Sequence, residues 1–310
     1  LHGDVLVSFR GTRFNAVDMG LGYIAIIISA ICYGCNPLFS AMGTELGFSV
    51  PWQLAIRFLG TSLPIGMYLI VRKRPLLLPW KTLWRILLSG IGTFGMTSVL
   101  LYESYRFAPS GMDTTIHFLY PVFVMVLSVL MGREKPQWRL VVAVVIALVA
   151  LLCIIQPWTV RGARGEGVIL ALASSLTFSC YVLFLGRNDI RKVDASVLVF
   201  WLCLSAGLFC IALALASDGP LKEASLVMGS SRLRFLILQP LVTSVVASTL
   251  FAFGAQRIGG TRASILSMFE PATAVVVGAL VLGESLSPWF GMGFLLLLCS
   301  VYLTVRVKKR

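Results

Sequence analysis

Stretches of about twenty apolar residues, each long enough to cross a hydrocarbon core as a helix, recur ten times along this chain. They run over 20–41, 51–71, 86–107, 110–131, 138–156, 166–186, 195–216, 235–256, 262–283 and 286–305. Of the 310 residues 58% are hydrophobic and the mean hydropathy is +0.90, which leaves too little polar surface for a water-soluble globule. The sequence therefore predicts an all-α, polytopic membrane protein of ten transmembrane helices. Connections are short, so successive helices run antiparallel.

Lys and Arg outnumber Asp and Glu, 26 to 13. In a soluble protein that excess would suggest nucleic acid; here the basic residues sit at the ends of apolar runs, where they encode topology. If the N-terminus is cytoplasmic, nineteen of the 26 fall on inner segments or the span ends next to them and six on outer ones, which leaves Arg57 deep inside a span. Both ends of the chain are then expected in the cytoplasm, the last being the basic tail 306–310. Residues 1–18 lack an initiator Met and any clear periodicity, and Met19 opens the first apolar run, so they are set aside as an N-terminal extension. All seven cysteines lie inside apolar runs and read as small buried hydrophobes.

The ninth run, GTRASILSMFEPATAVVVGALVLGE, carries a carboxylate beside a proline near mid-membrane. An ionised Glu270 there costs roughly 2.5–3.5 kcal/mol unless it faces protein or a water-filled cavity. Pro271 has no N–H, so the Ser267 carbonyl is expected to lose its helical partner. The fourth run repeats the device: Pro121 aligns with Pro271, Tyr120 with Glu270, His117 with Ser267, and Glu134 with Glu284. The first and sixth runs also match in spacing, Gly22 to Gly167, Ser29 to Ser174 and Tyr33 to Phe178. Five spans per half is an odd number, so the second unit (166–305) is expected upside down relative to the first (20–156). That is the inverted-repeat plan of secondary transporters, with a central site between the halves.

These residues resemble a known family. Gly34-Cys35-Asn36-Pro37, Arg57-Phe58, the serine pattern of 173–181 and above all Ser267-Met-Phe-Glu-Pro271 with Gly283-Glu284 are similar to EamA-type exporters of the drug/metabolite transporter superfamily. The resemblance covers nearly all of 20–305. It implies two inverted five-helix EamA repeats around a cavity lined mainly by spans 1, 3, 4, 6, 8 and 9. It also implies an exporter of amino acids or related small metabolites in a bacterial inner membrane. Tyr120-Pro121 departs from the family's Glu-Pro pattern, as does Glu103, where a small or apolar residue is more usual.

The cavity candidates are Asn36, Ser98, Tyr102, His117, Tyr120, Ser248, Ser267 and Glu270, with Pro121 and Pro271 as hinges. Glu270 can bind an amino group, carry a coupling proton or pair with a basic residue. Arg57 and Glu103 differ in depth by only about 4 Å at ~1.5 Å rise per residue, so an ion pair or external gate across spans 2 and 3 is expected. Tyr102, Tyr105, Tyr120, Phe94 and Trp201 supply a possible stacking wall. Gly90-x-Gly92-x-x-Gly95 follows no strand, and Cys32-x-x-Cys35 has no second ligand pair, so neither a dinucleotide nor a metal site is expected. No cofactor is implied. The expected partners are a small-molecule solute and the lipid bilayer, with no nucleic acid. The competing readings are an intramembrane enzyme using Glu270 with His117, for which the sequence offers no nucleophile or metal cluster, and a channel or receptor, whose pore would favour charged or carbonyl rings.

Overall fold

A computed structural model describes residues 7–9, 12–14, 16–74, 76–107, 113, 116–133, 137–156, 165–217, 229–282 and 288–306. Glu134, Pro136, Glu284, part of the fourth span and residues 307–310 of the tail lie outside them. Each expected span contains helix. The first is α1 (Ala16–Tyr33) and α2 (Asn36–Glu45), and the second α3 (Val50–Val71). The third is α4 (Trp80–Ser89), a π turn over Gly90–Gly95 and α5 (Met96–Ser104). There follow α6 (Tyr120–Leu130), α7 (Trp138–Ile155), α8 (Gly165–Leu185) and α9 (Ala195–Ser217). The eighth is α10 (Ser230–Pro240), a second π turn over Leu241–Val246 and α11 (Ala247–Ile258). The ninth is α12 (Gly260–Leu266) and α13 (Phe269–Leu282), and the last is α14 (Pro288–Arg306). Six of these stretches are long and apolar enough to cross a membrane unaided, and the rest are shorter or interrupted.

The N-terminal extension departs from the purely helical expectation. β1 (Val7–Phe9) pairs antiparallel with β2 (Thr12–Phe14), Val7 opposite Phe14. A lone two-stranded ribbon is marginal in water, and this one leans on α1.

The bundle is built for a solvent that is itself apolar. Leu63, Met67, Val71, Ile169 and Leu280 point outward, whereas Ser29, Thr61, Ser174, Ser244 and Ser248 are buried. Lipid gives helices no hydrophobic reason to associate, so close packing and hydrogen bonds must hold them. Ser29 Oγ donates to the Ala247 carbonyl at 2.7 Å, joining α1 to α11, and Ser300 Oγ donates to the Ala143 carbonyl at 2.7 Å, joining α14 to α7.

Neighbour relations in one half recur in the other. α1 lies on α11 as α8 lies on α5; α13 touches α1 as α6 touches α8. α3 pairs with its counterpart α9, and α7 with α14. The two π turns are six residues each and begin at Gly90 and Leu241. Helix breaks fall at Phe118–Leu119 and Ser267–Met268, just ahead of Pro121 and Pro271. The correspondence fails in the first span, where Pro37 removes the donor for the Tyr33 carbonyl and the helix breaks at Gly34–Cys35; its counterpart α8 runs unbroken.

The two ends of the bundle are tied separately. Arg85 at the start of α4 meets Asp189, just past α8, at 2.7 Å, and Arg187 reaches the same carboxylate at 3.2 Å. Arg191 Nε donates to the Gln256 carbonyl at 2.7 Å, so the ends of α8 and α11 belong together. At the other end Arg232 donates to the Leu46 carbonyl at 3.2 Å, and Phe48 stacks on Phe235 at 5.6 Å. Segments 72–85 and 187–194, both expected on the inner face, therefore share one end.

Candidate functional site

The broken helices enclose a cavity of about 70 Å³, on a scale where one water needs about 10–15 Å³. α1 and α2 contribute Tyr33, Asn36 and Pro37, and α3 contributes Arg57. The third span supplies Phe94 from its π turn and Thr97, Ser98, Leu101, Tyr102 and Tyr105 beyond it. His117 and Phe118 come from the turn before α6, Phe178 from α8, and Glu270, Pro271 and Ala274 from α13. Among the described residues the second span lines the cavity through Arg57 and the eighth does not, the reverse of what the resemblance implies for those two.

Glu270 is placed by a close approach of backbones. At Gly34 a Cβ would lie 2.6 Å from Thr273 Cβ and 2.7 Å from the Glu270 carbonyl oxygen. Only glycine lets the break in the first span seat against the first turn of α13. Among the described residues the Glu270 carboxyl has no hydrogen bond and no cation within 4 Å; the charge whose field reaches it is Arg57. The Ser267 carbonyl is not left free as expected. The chain tightens to an i→i+3 turn and Glu270 N–H donates to it at 2.9 Å.

The expected Arg57–Glu103 pair does not form. Glu103 binds Arg106, just past the end of α5, at 2.9 Å, Glu103 half-buried and Arg106 exposed. Arg57 points inward instead: Nε donates to Ser244 Oγ at 2.8 Å and Nη2 to the Thr243 carbonyl at 3.1 Å, both on the second π turn. Its guanidinium lies 5.8 Å from the Tyr33 ring and 5.4 Å from that of Phe58.

His117 lines the cavity with its Nδ1 2.9 Å from Ser174 Oγ. The Ser174 hydroxyl has one proton, and it is given to the Thr97 carbonyl at 3.0 Å. Ser174 therefore accepts from Nδ1–H, which fixes the neutral tautomer and leaves Nε2 as an acceptor. Asn36 Oδ1 and Tyr102 Oη are buried without a hydrogen-bond partner among the described residues, so both await one.

Of the cavity candidates, Asn36, Ser98, Tyr102, His117 and Glu270 line this cavity, together with the hinge candidate Pro271 and with Arg57. Tyr120, Pro121, Ser248 and Ser267 sit behind the wall. Tyr120 packs on Phe178 at 4.7 Å and donates to the Ser264 carbonyl at 3.3 Å, while Ser248 supports Tyr33 through a 2.7 Å hydroxyl contact. Trp201 is remote: its Nε1–H donates to the Leu76 carbonyl at 3.0 Å and ties a loop. Tyr33 and Phe178 were not singled out as cavity residues, although aligning the two halves pairs them with each other. Residues at corresponding places in two copies around one cavity should both face it, and that was the available signal.

The sequence profile of the EamA-like transporter family matches residues 20–156 and again 165–306. An uncharacterized transporter of Synechocystis sp. is 26% identical over 210 residues, 66% of this chain and 61% of that protein. One from Archaeoglobus fulgidus is 23% identical over 269 residues, 86% of this chain and 93% of its own length. The inner membrane transporter YicL of Salmonella typhimurium is 28% identical over 216 residues, 69% of each chain. A crystal structure at 16% identity superposes with a TM-score of 0.75, covering 91% of this chain and 95% of the other, which establishes the shared fold. With both halves matched and several spans apolar enough to cross a bilayer, this multi-pass membrane chain belongs to the EamA-like transporter family.

Proposed function

We propose that the chain is a secondary carrier that exports amino acids or related small metabolites by alternating access through the central cavity. The observation that carries this reading is the cavity itself. It lies where the first, fourth and ninth spans are broken, and it holds Arg57 and Glu270 without a salt bridge between them. Breaks in helices that line a site free backbone to bend, and unpaired polar groups give a solute something to bind. In this reading all ten spans cross the membrane, as two inverted five-helix repeats over 20–156 and 166–305. Both termini are cytoplasmic, in the inner membrane of a bacterium. The matching neighbour relations of the two halves and the shared end of segments 72–85 and 187–194 support that arrangement. Pro121 and Pro271 act as paired hinges, and drive comes from the solute gradient or a coupled ion.

An efflux screen tests the reading. Cells overexpressing the protein should tolerate at least one toxic amino acid or analogue at several times the concentration that stops control cells, and an inactive variant should not. Equal sensitivity across amino acids and their analogues would overturn the solute class.

A further inference from the structure

We infer that Arg57 recognises the transported solute by binding a single carboxylate on it, with the Tyr102 hydroxyl as second donor. This rests on the carrier reading above and names the chemistry by which the solute is held.

Arg57 is buried in the bundle, and among the described residues no carboxylate lies within 4 Å of it. A structural tie between α3 and the eighth span would need only a neutral donor. Burying a cation instead costs several kcal/mol, roughly, when no anion lies against it. The ring faces of Tyr33 and Phe58 offset part of that cost. The rest is offset when an anion occupies the cavity.

The guanidinium is also pre-set for this. Nε and Nη2 are held from behind by Ser244 and Thr243, so the plane of the fork is fixed, while Nη1 has no hydrogen bond among the described residues. The fixing groups sit on the π turn Leu241–Val246, an irregularity that otherwise weakens the helix. Tyr102, on the same cavity wall, has a buried hydroxyl whose neighbour is the Arg57 guanidinium; Arg57 can only donate to it, so the phenol proton is left for another acceptor. Two donors on one cavity wall suit the two oxygens of a carboxylate.

Charge bounds the solute further. Glu270 is on the same wall, so a dianion would set a second negative charge against it in a low dielectric. Phe94, Phe118 and Phe178 give the wall an apolar part beside Asn36, Ser98 and His117. A small solute with one carboxylate and an apolar body, zwitterions included, meets these conditions.

Matched acid and amide probes test the assignment on the full chain in nanodiscs at pH 7: benzoate with benzamide, hydrocinnamate with hydrocinnamamide, and N-acetylleucine with N-acetylleucinamide. Titration calorimetry should show the acid binding at least tenfold tighter than its amide in one or more pairs. Arg57→Gln should bring that acid to the affinity of its amide. Tyr102→Phe and Ser244→Ala, which keep the buried charge, should weaken the acid severalfold and the amide by less, so that the gap between them narrows; they carry the test if Arg57→Gln does not fold. No binding, equal binding within every pair, an acid preference that survives Arg57→Gln, or one undiminished in both Tyr102→Phe and Ser244→Ala would overturn the inference. The same probes in proteoliposome counterflow separate the two claims. Acid-selective binding without counterflow contradicts the carrier and leaves Arg57 its role; counterflow indifferent to the carboxylate contradicts the role of Arg57 and leaves the carrier.

Discussion

A methyl group added at Gly34 would enter space already filled by the ninth span. Its carbon would stand 2.6 Å from Thr273 Cβ and 2.7 Å from the Glu270 carbonyl oxygen, against an ordinary separation of about 3.5–4.0 Å. The obstacle is helix backbone and the root of a side chain, neither of which can swing aside, so α13 must retreat from the first span by about 1 Å. Overpacking of this kind costs typically about 1–3 kcal/mol. In a bundle held by close packing rather than by water, no hydrophobic gain compensates. The segment that retreats begins with Glu270, and a binding group displaced by more than about 0.5 Å loses its alignment. Gly34→Ala should therefore lower the melting temperature of the purified protein and cut proteoliposome counterflow at least tenfold. Gly291, where an added Cβ meets nothing within 4 Å, is the control. Gly291→Ala should gain up to about 1 kcal/mol from helix propensity and leave transport unchanged. Wild-type melting and wild-type counterflow in Gly34→Ala would refute the reasoning.

Three further outcomes are expected. Glu270→Gln keeps shape and removes charge, so it should alter the counterflow rate or flatten its pH profile; a rate and profile identical to wild type would remove Glu270 from the mechanism. Glu103→Gln loses only a surface pair with Arg106, so stability should change by under about 1 kcal/mol and counterflow should not change; a loss as large as that of Arg57→Gln would restore the abandoned ion pair. At Asp189 burial pushes the carboxyl up, but hydrogen bonds from Arg85 and Arg187 outweigh it and hold the group below its ordinary 3.8. A depressed carboxyl stabilises the fold above that value and loses its effect as pH falls below it. The melting advantage of wild type over Asp189→Asn should thus be steady at neutral pH and vanish in strong acid; an advantage that grows on acidification would contradict the tie.

The sequence made position along each helix legible and left azimuth hidden. Apolar run length placed the helices, and paired prolines placed the breaks of the fourth and ninth spans. Arg57 and Glu103 share a depth, yet Glu103 follows Tyr102 by one residue, which turns it about 100° around the helix. That turn carries it from the cavity lining to a half-buried position beside Arg106. Tyr120 fell behind the wall for a similar reason: it aligns with Glu270, but its ring went to Phe178 and its hydroxyl to the Ser264 carbonyl. The Ser267 carbonyl was judged by i→i+4 counting, which misses a local 3₁₀ turn. Nothing in the composition of Leu241–Val246 announces a π turn, and that turn directs Arg57 inward.

The central claim is that one five-helix unit occurs twice in opposite senses, and thiol labelling tests it most directly. Single cysteines replacing Lys73, Arg106, Lys192 and Arg234, all exposed, are introduced into a cysteine-free background. On intact cells a membrane-impermeant maleimide should label positions 106 and 234, and it should reach 73 and 192 only after permeabilisation. Labelling of 73 and 192 from opposite sides of the membrane would contradict the inverted repeat and the cavity drawn from it.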